Sequence, residues 1–338
     1  MGAASPEGFA LLVKKIMSIT KIPLEVQIKD VQLQYTQLPI AEIFYRQLKN
    51  AEFDISDMSI SFYLIAKSLG KLPYVAIPVF PMREFFHSRI VVSKHSGITR
   101  PVDLKGKRFG LPEYAVTASL WTRAVLQHEF GIPLEGMEWF VERPLTDSLA
   151  FAAGWKNPTG MKISEIPRDK SLLSMLDSGE LDAAFIYRQE IKSRMERSTE
   201  DMFSPSHQVK KLFLDQKSET IRYYQKTGYY PINHLMVIRE SIAEKYPELP
   251  MQIFSALEES KQIAQQRNRR LAFANNSFVW LDSLQEEIDS VLGQDPFPYG
   301  IQKNSKILSA LLQYSLEQGL TTRKLTFEEM FHKSTLST

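Results

Sequence analysis

Cysteine is absent from all 338 residues. That excludes disulfides, thiolate nucleophiles and thiolate metal sites, and leaves the redox compartment open. No apolar run approaches the roughly 20 residues that span a bilayer as a helix. The 41 Lys and Arg nearly balance the 39 Asp and Glu, and a net charge of +2 singles out no nucleic-acid partner. The six His are scattered without an HExxH spacing, so no metal centre is read. Repeats, low-complexity tracts and linkers are absent as well. The short apolar patch Phe9 to Val13 is followed by Lys14 and Lys15 and preceded by no basic segment, a poor secretory signal. The expectation is a cytoplasmic protein without membrane contact.

What is present describes an ordinary globular chain, with 43% hydrophobic and 24% charged residues. Its length suffices for two lobes. The stretch Tyr74 to Trp121 organises the rest. Val75, Ile77 and Val79 form a β-branched run ended by Pro81, and Ile90 to Val92 form a second strand. Phe109 to Leu111 form a third, which Pro112 stops, and Thr117 is a plausible N-cap for a helix over Ala118 to Phe130. Polar residues collect in the breaks between these strands, where open α/β sheets bind ligands.

Upstream, Leu24 to Ile28 alternates like a strand. Ile40, Ile43, Phe44 and Leu48 share one helical face after Pro39. Phe53 to Ile55 is a short strand, and Ser56 or Asp57 is expected to cap a helix over Met58 to Leu69 that ends at Gly70. Downstream, Trp139 to Val141 and Ala183 to Tyr187 read as strands. Ile232 to Ile238 reads as a returning strand, expected to pair with Ile90 to Val92. Ser241 with Glu244, and Thr326 with Glu329, are capping boxes at the start of helices. The C-terminal region is helical.

Four segments carry a resemblance. FDISDMSISFYL at Phe53, YVAIPVFPMREFFHS at Tyr74, DLKGKRFGLPEYAVTASLWTR at Asp103 and TGYYPINHLMVIR at Thr227 stand in the order of the 4,5-dihydroxyphthalate decarboxylases. The chain resembles that family from about Val26 to the FHKST at Phe331. The resemblance implies the two-lobed, type II fold of solute-binding proteins, each lobe a mainly parallel sheet flanked by helices. Residues 1–87 and 239–338 would form one lobe and 88–238 the other, with a ligand cleft between them. At the N-terminus the family's Gly-Asp/Asn-Tyr-Asp-Arg type of turn is replaced by Val13 to Met17.

The implied reaction is loss of one carboxylate from a dihydroxylated aromatic diacid. It needs no cofactor in principle, because a phenol para to the leaving group supplies the electron push. A general acid must protonate the ring carbon, and His87 and His234 are the candidates, each beside an expected lobe crossing. Glu113 is a candidate to take the phenolic proton; its alternative is a carboxylate on a first helical turn. Arg83 and Arg188 are candidates for the substrate carboxylates, with structural ion pairs as the alternative. Ser59 and Ser61, with the helix start near Met58, offer an anion site, and Tyr114, Thr117 and Trp121 would complete the pocket. The partner is then a small aromatic carboxylate, and a homo-oligomer is open. A non-catalytic binder of a small organic anion on the same fold is the second reading.

Overall fold

The computed structural model describes residues 7–12, 15–17, 28, 31, 34–187, 197–198, 201–272 and 279–338. The strand expected over Leu24 to Ile28 and Arg188 therefore lie outside the described residues, apart from Ile28.

The chain opens with β1 (Glu7–Leu12), β2 (Lys15–Met17) and β3 (Gln34–Pro39), then α1 (Ile40–Asn50). Pro39 stands at the N-cap of α1, and Ile43 and Phe44 on its apolar face are buried. Next come β4 (Ile55–Ser59), α2 (Ile60–Ser68) and β5 (Tyr74–Ile77). Ser56 and Asp57 lie inside β4 instead of capping a helix at Met58. Every residue from Ile55 to Ser59 is buried and the strand has a neighbour on either side, so ladder pairing outweighs the capping tendency of Ser and Asp.

The polypeptide then crosses to a second sheet, built from β6 (Ile90–Ser93), β7 (Arg108–Leu111), β8 (Glu138–Val141), β9 (Lys162–Glu165), β10 (Ala183–Phe185) and β11 (Val209–Lys211). Their order is β11-β6-β10-β7-β8-β9, parallel from β10 to β9. Helices α3 (Thr117–His128), α4 (Leu149–Ala152), α5 (Leu172–Asp177) and α6 (Gln216–Thr227) lie among or just after these strands in the chain. At Gly110 a Cβ would stand 2.6 Å from Leu172 Cδ2, so only glycine lets β7 and α5 approach so closely.

β12 (His234–Arg239) returns to the first sheet, between β4 and β5 and antiparallel to both. The expected pairing with Ile90 to Val92 does not form, and the strand ending near residue 238 sits with the first sheet. Leu235 to Ile238 are all buried, which demands cover on both faces, but such a run does not say which strands flank it. The α/β two-sheet class stands. The second sheet is mainly parallel as expected, whereas among the described residues the ladders of the first are antiparallel, β12 separating the co-directional β4 and β5.

The two crossings run side by side. Arg83 bridges Ile232, Glu84 N donates to Pro231 O at 3.0 Å and Asn233 N to Met82 O at 2.9 Å. After β12 come α7 (Glu240–Lys245), α8 (Leu249–Ala272), α9 (Leu281–Leu292), α10 (Ser305–Glu317) and α11 (Phe327–Met330). The Thr326/Glu329 capping box forms as read, whereas α7 starts after Arg239 without a side-chain cap. The C-terminus touches both halves: Gln318 Nε2 donates to Leu120 O at 3.1 Å, and His332 N donates to Ala76 O at 3.0 Å.

Candidate functional site

In the β4–β12 ladder His234 stands opposite Ser59, and Met236 opposite Asp57. Residues opposite one another and two apart share a sheet face, so Asp57, Ser59 and His234 project together. His234 Nδ1 lies 3.2 Å from Asp57 Oδ2. Asn233 Nδ2 donates to His234 Nε2 at 3.0 Å. An amide NH2 only donates, so Nε2 accepts and the ring proton sits on Nδ1, facing the carboxylate. The edge of the Phe44 ring packs on the imidazole, centroids 5.1 Å apart. All three polar residues are buried, and Asp57 Oδ1 has no hydrogen-bond partner.

Beside this pair the two halves meet through hydroxyls. Ser59, at the N-cap position of α2, makes no capping bond. Its Oγ lies 2.8 Å from Thr117 Oγ1 and 3.2 Å from Ser61 Oγ. Thr117 is the first residue of α3, and Val116 takes the N-cap place expected for it. Its Oγ1 also lies 3.0 Å from Ser61 Oγ and accepts from Ser61 N at 3.1 Å. Ile60 N donates to Asn233 O at 3.1 Å. The starts of two helices from two different sheets therefore converge on one cluster of hydroxyls. Helix starts carry partial positive charge and spare N–H groups, an arrangement suited to a carboxylate. The His234 imidazole stands opposite Ser59 in the same ladder.

The sequence matches, over residues 24–274, the profile of the family described as "ABC transporter, phosphonate, periplasmic substrate-binding protein". It is 31% identical over 313 residues to the 4,5-dihydroxyphthalate decarboxylase of Comamonas testosteroni, covering 92% of each chain. The chain belongs to the 4,5-dihydroxyphthalate decarboxylase family. A second curated relative of that name, from Pseudomonas putida, is 36% identical over 163 residues, 47% of this chain and 62% of that one. Among solved structures, the periplasmic aliphatic sulphonate binding protein of Escherichia coli aligns with a TM-score of 0.45 and 13% identity, covering 88% of this chain and 86% of that chain.

Within this decarboxylase-family chain the remaining candidates are dispersed. Arg83 is buried where the two crossings run side by side. Its Nη1 donates to Tyr230 O at 3.0 Å, and its Nη2 to Pro298 O at 2.9 Å and to Asn304 Oδ1. Burial pulls the guanidinium down to about 10, still a cation at neutral pH. Both Nη atoms are occupied, so Arg83 is a strut between crossing and C-terminal segments instead of an open carboxylate clamp. His87 does not join His234: its Nε2 lies 3.2 Å from Glu219 Oε1 on α6, and the rings of Tyr223 and Phe213 enclose it.

Glu113 is buried, ion-paired with Arg143 and accepting from Ser148 Oγ at 2.6 Å, which ties the loops after β7 and β8 together. That occupied carboxylate replaces the free base expected there. Tyr114 is a core ring, stacked on Trp155 with the Arg123 guanidinium 3.6 Å from its centre. Trp121 is buried too, and its Nε1 donates to Ile232 O at 2.8 Å. Met58 is buried in β4 opposite Leu235. The structure thus gathers Ser59, Ser61, Thr117 and His234. It adds Asp57, which sequence reading treated as a cap, and Asn233, which it passed over although both lie in the resembling segments. Among the described residues no group of three or more His, Asp or Glu side chains is placed to hold a metal ion.

Proposed function

We propose that this protein decarboxylates 4,5-dihydroxyphthalate to 3,4-dihydroxybenzoate and CO2, with His234 as the proton donor. The observation that carries the reading is the Asp57–His234 pair lying beside the paired helix starts, in a chain of the decarboxylase family. In the proposed Michaelis complex the Ser59–Thr117 contact parts and the freed hydroxyls and N–H groups take the retained carboxylate. The 4- or 5-hydroxyl, para to the departing carboxylate, feeds electrons into the ring. His234, carrying a second proton on Nε2, delivers it to the ring carbon. The carbon–carbon bonding pair stays on that carbon and CO2 departs. Loss of the Nε2 proton returns the imidazole to its neutral form, still oriented by Asp57. Positioned acid–base catalysis of this kind contributes roughly 10²–10⁴-fold.

The test is incubation of purified protein with 4,5-dihydroxyphthalate, followed by chromatography for 3,4-dihydroxybenzoate and trapping of CO2. Product that depends on His234 supports the reading. No product across the pH range, together with a substrate-induced rise in melting temperature, would instead favour a binding protein for small organic anions.

A further inference from the structure

A separate apolar cleft lies between α6 and α9, away from the hydroxyl seam. It holds about 190 Å³. Phe85, Ile221 and Tyr224 form one wall, and Leu284, Ile288 and Val291 of α9 the other. Lys217 and Glu287 lie at the same cleft and are ion-paired to each other across it.

The helix α9 shows why the space is notable. Leu281, Leu284, Ile288, Val291 and Leu292 recur at helical spacing and make one apolar face. Yet none of the residues of α9 is buried. Leu284, Ile288, Val291 and Leu292 of this face line the cleft. The opposite wall is firm: Phe85 is stacked on Tyr230, centroids 4.6 Å apart and planes 11° apart, and its edge contacts extend to His87 and Tyr223. An apolar cavity of about 150 Å³ is enough to bind benzene. The room here fits one six-membered ring with a small substituent.

Charge decides the kind of ring. The Lys217 ammonium and the Glu287 carboxylate at the cleft neutralise each other, so the pair leaves no net charge to hold a charged ring. We infer that the α6–α9 cleft is a binding site for a neutral, single-ring aromatic molecule, distinct from the site for the aromatic carboxylate. Phe85 and Tyr224 offer ring faces and edges, and the aliphatic residues of α9 cover the other side.

The test reads binding, so it is independent of the decarboxylase reading. Toluene is added to the full chain and the melting temperature followed. The expected result is a saturable rise of about 2 °C or more. Ile288→Trp fills the cleft from α9, and Ile221→Phe fills it from α6. Both are expected to fold, to keep turnover, and to lose the toluene response. Benzoate, which the hydroxyl seam can hold, is expected to give either no shift or one that the filling variants retain. Absence of a toluene response in the unmodified protein would overturn the inference. So would a response surviving in either folded variant, or a benzoate shift that filling abolishes.

Discussion

His234 and Asp57 face each other from adjacent antiparallel strands, Nδ1 to Oδ2 at 3.2 Å, with Asn233 closing the other ring nitrogen. A carboxylate in that position fixes the orientation and tautomer of the imidazole. His234→Gln removes the proton carrier and is expected to lower kcat by roughly 10²–10⁴-fold while the far-UV spectrum is kept. Asp57→Asn leaves an acceptor for the Nδ1 proton but withdraws the charge, so a smaller loss is expected. Unchanged kcat in His234→Gln would remove this residue from the mechanism.

The hydroxyl seam makes a second, separable prediction. Thr117 Oγ1 accepts from Ser61 N and lies 2.8 Å from Ser59 Oγ. Thr117→Val keeps the shape but strands the buried Ser61 N–H and leaves the Ser59 and Ser61 hydroxyls only each other, at a cost of about 1–3 kcal/mol. Thr117→Ser restores the oxygen and should recover most of that stability. If the seam also holds the substrate carboxylate, KM rises in Thr117→Val and returns towards normal in Thr117→Ser. Urea melts and steady-state kinetics on the two variants measure both effects. Equal stability of the two would show that the oxygen contributes nothing.

His87 and Glu219 govern an acid limb of stability. Burial pulls the His87 imidazole down against the opposing pull of Glu219. Its Nδ1 has no partner, so a second ring proton would be a buried, unsatisfied donor. The unfolded chain, with its His near 6.5, therefore binds more protons than the folded one as pH falls below that value, and stability falls. For Glu219 burial alone would raise the carboxyl, but bonds from Arg222 and His87 outweigh it and bring it to about 2. That contribution is present above the ordinary Glu range and is lost as pH falls from there towards about 2. His87→Phe should flatten the part of the melting-temperature profile just below pH 6.5 and, by removing one of the groups bonded to Glu219, shrink the lower part while Arg222 keeps some of it. A variant profile parallel to the natural one would contradict the burial argument.

How far these features were legible beforehand depends on their range. Local patterns placed β6, β7, α3 and α11 within a residue or two, because apolar spacing and caps act over a few neighbours. The seam residues Ser59, Ser61 and Thr117 were legible for a related reason: each stands where a strand opens onto a helix. The register of β12 was not, since an all-apolar strand fixes no neighbour. Nor were the partners of Arg83, which are carbonyl and amide oxygens 147 to 221 residues away. A backbone acceptor leaves no mark in a side-chain pattern, so an arginine strut and an arginine clamp read alike.

That distinction is open to measurement. Arg83→Met keeps much of the packed stem but leaves Tyr230 O and Asn304 Oδ1 without their donor, and Pro298 O with the Asn304 Nδ2 bond alone. Bonds to a charged donor contribute about 1.5–3 kcal/mol each, and part of that is recovered by relaxation, so an overall loss of about 2–4 kcal/mol is expected. Below the melting range KM should stay within about twofold of normal, since both Nη atoms are engaged by Tyr230 O, Pro298 O and Asn304 Oδ1. A tenfold rise in KM with unchanged stability would return Arg83 to the substrate.

The last prediction concerns Gln318, just beyond the end of α10. Arg123 is fully buried, and its Nε donates to Gln318 Oε1 at 2.9 Å while both Nη atoms lack partners. Burial lowers this guanidinium to about 10, and the rings of Tyr114 and Trp139 supply further contacts. Gln318 answers with Nε2 to Leu120 O, and Tyr114 Oη donates to Gln318 O at 3.3 Å. One side chain thus holds α3, the helix that presents Thr117 to the seam. Gln318→Ala removes the one side-chain acceptor of a buried cation and should cost about 2–3 kcal/mol. Arg123→Met exchanges that cation for an apolar chain of similar length, and buried charges so replaced are often neutral for stability. The double variant is therefore expected to be more stable than Gln318→Ala alone. A double-mutant cycle by urea melts measures the coupling, and strict additivity would mean that the two residues do not depend on each other.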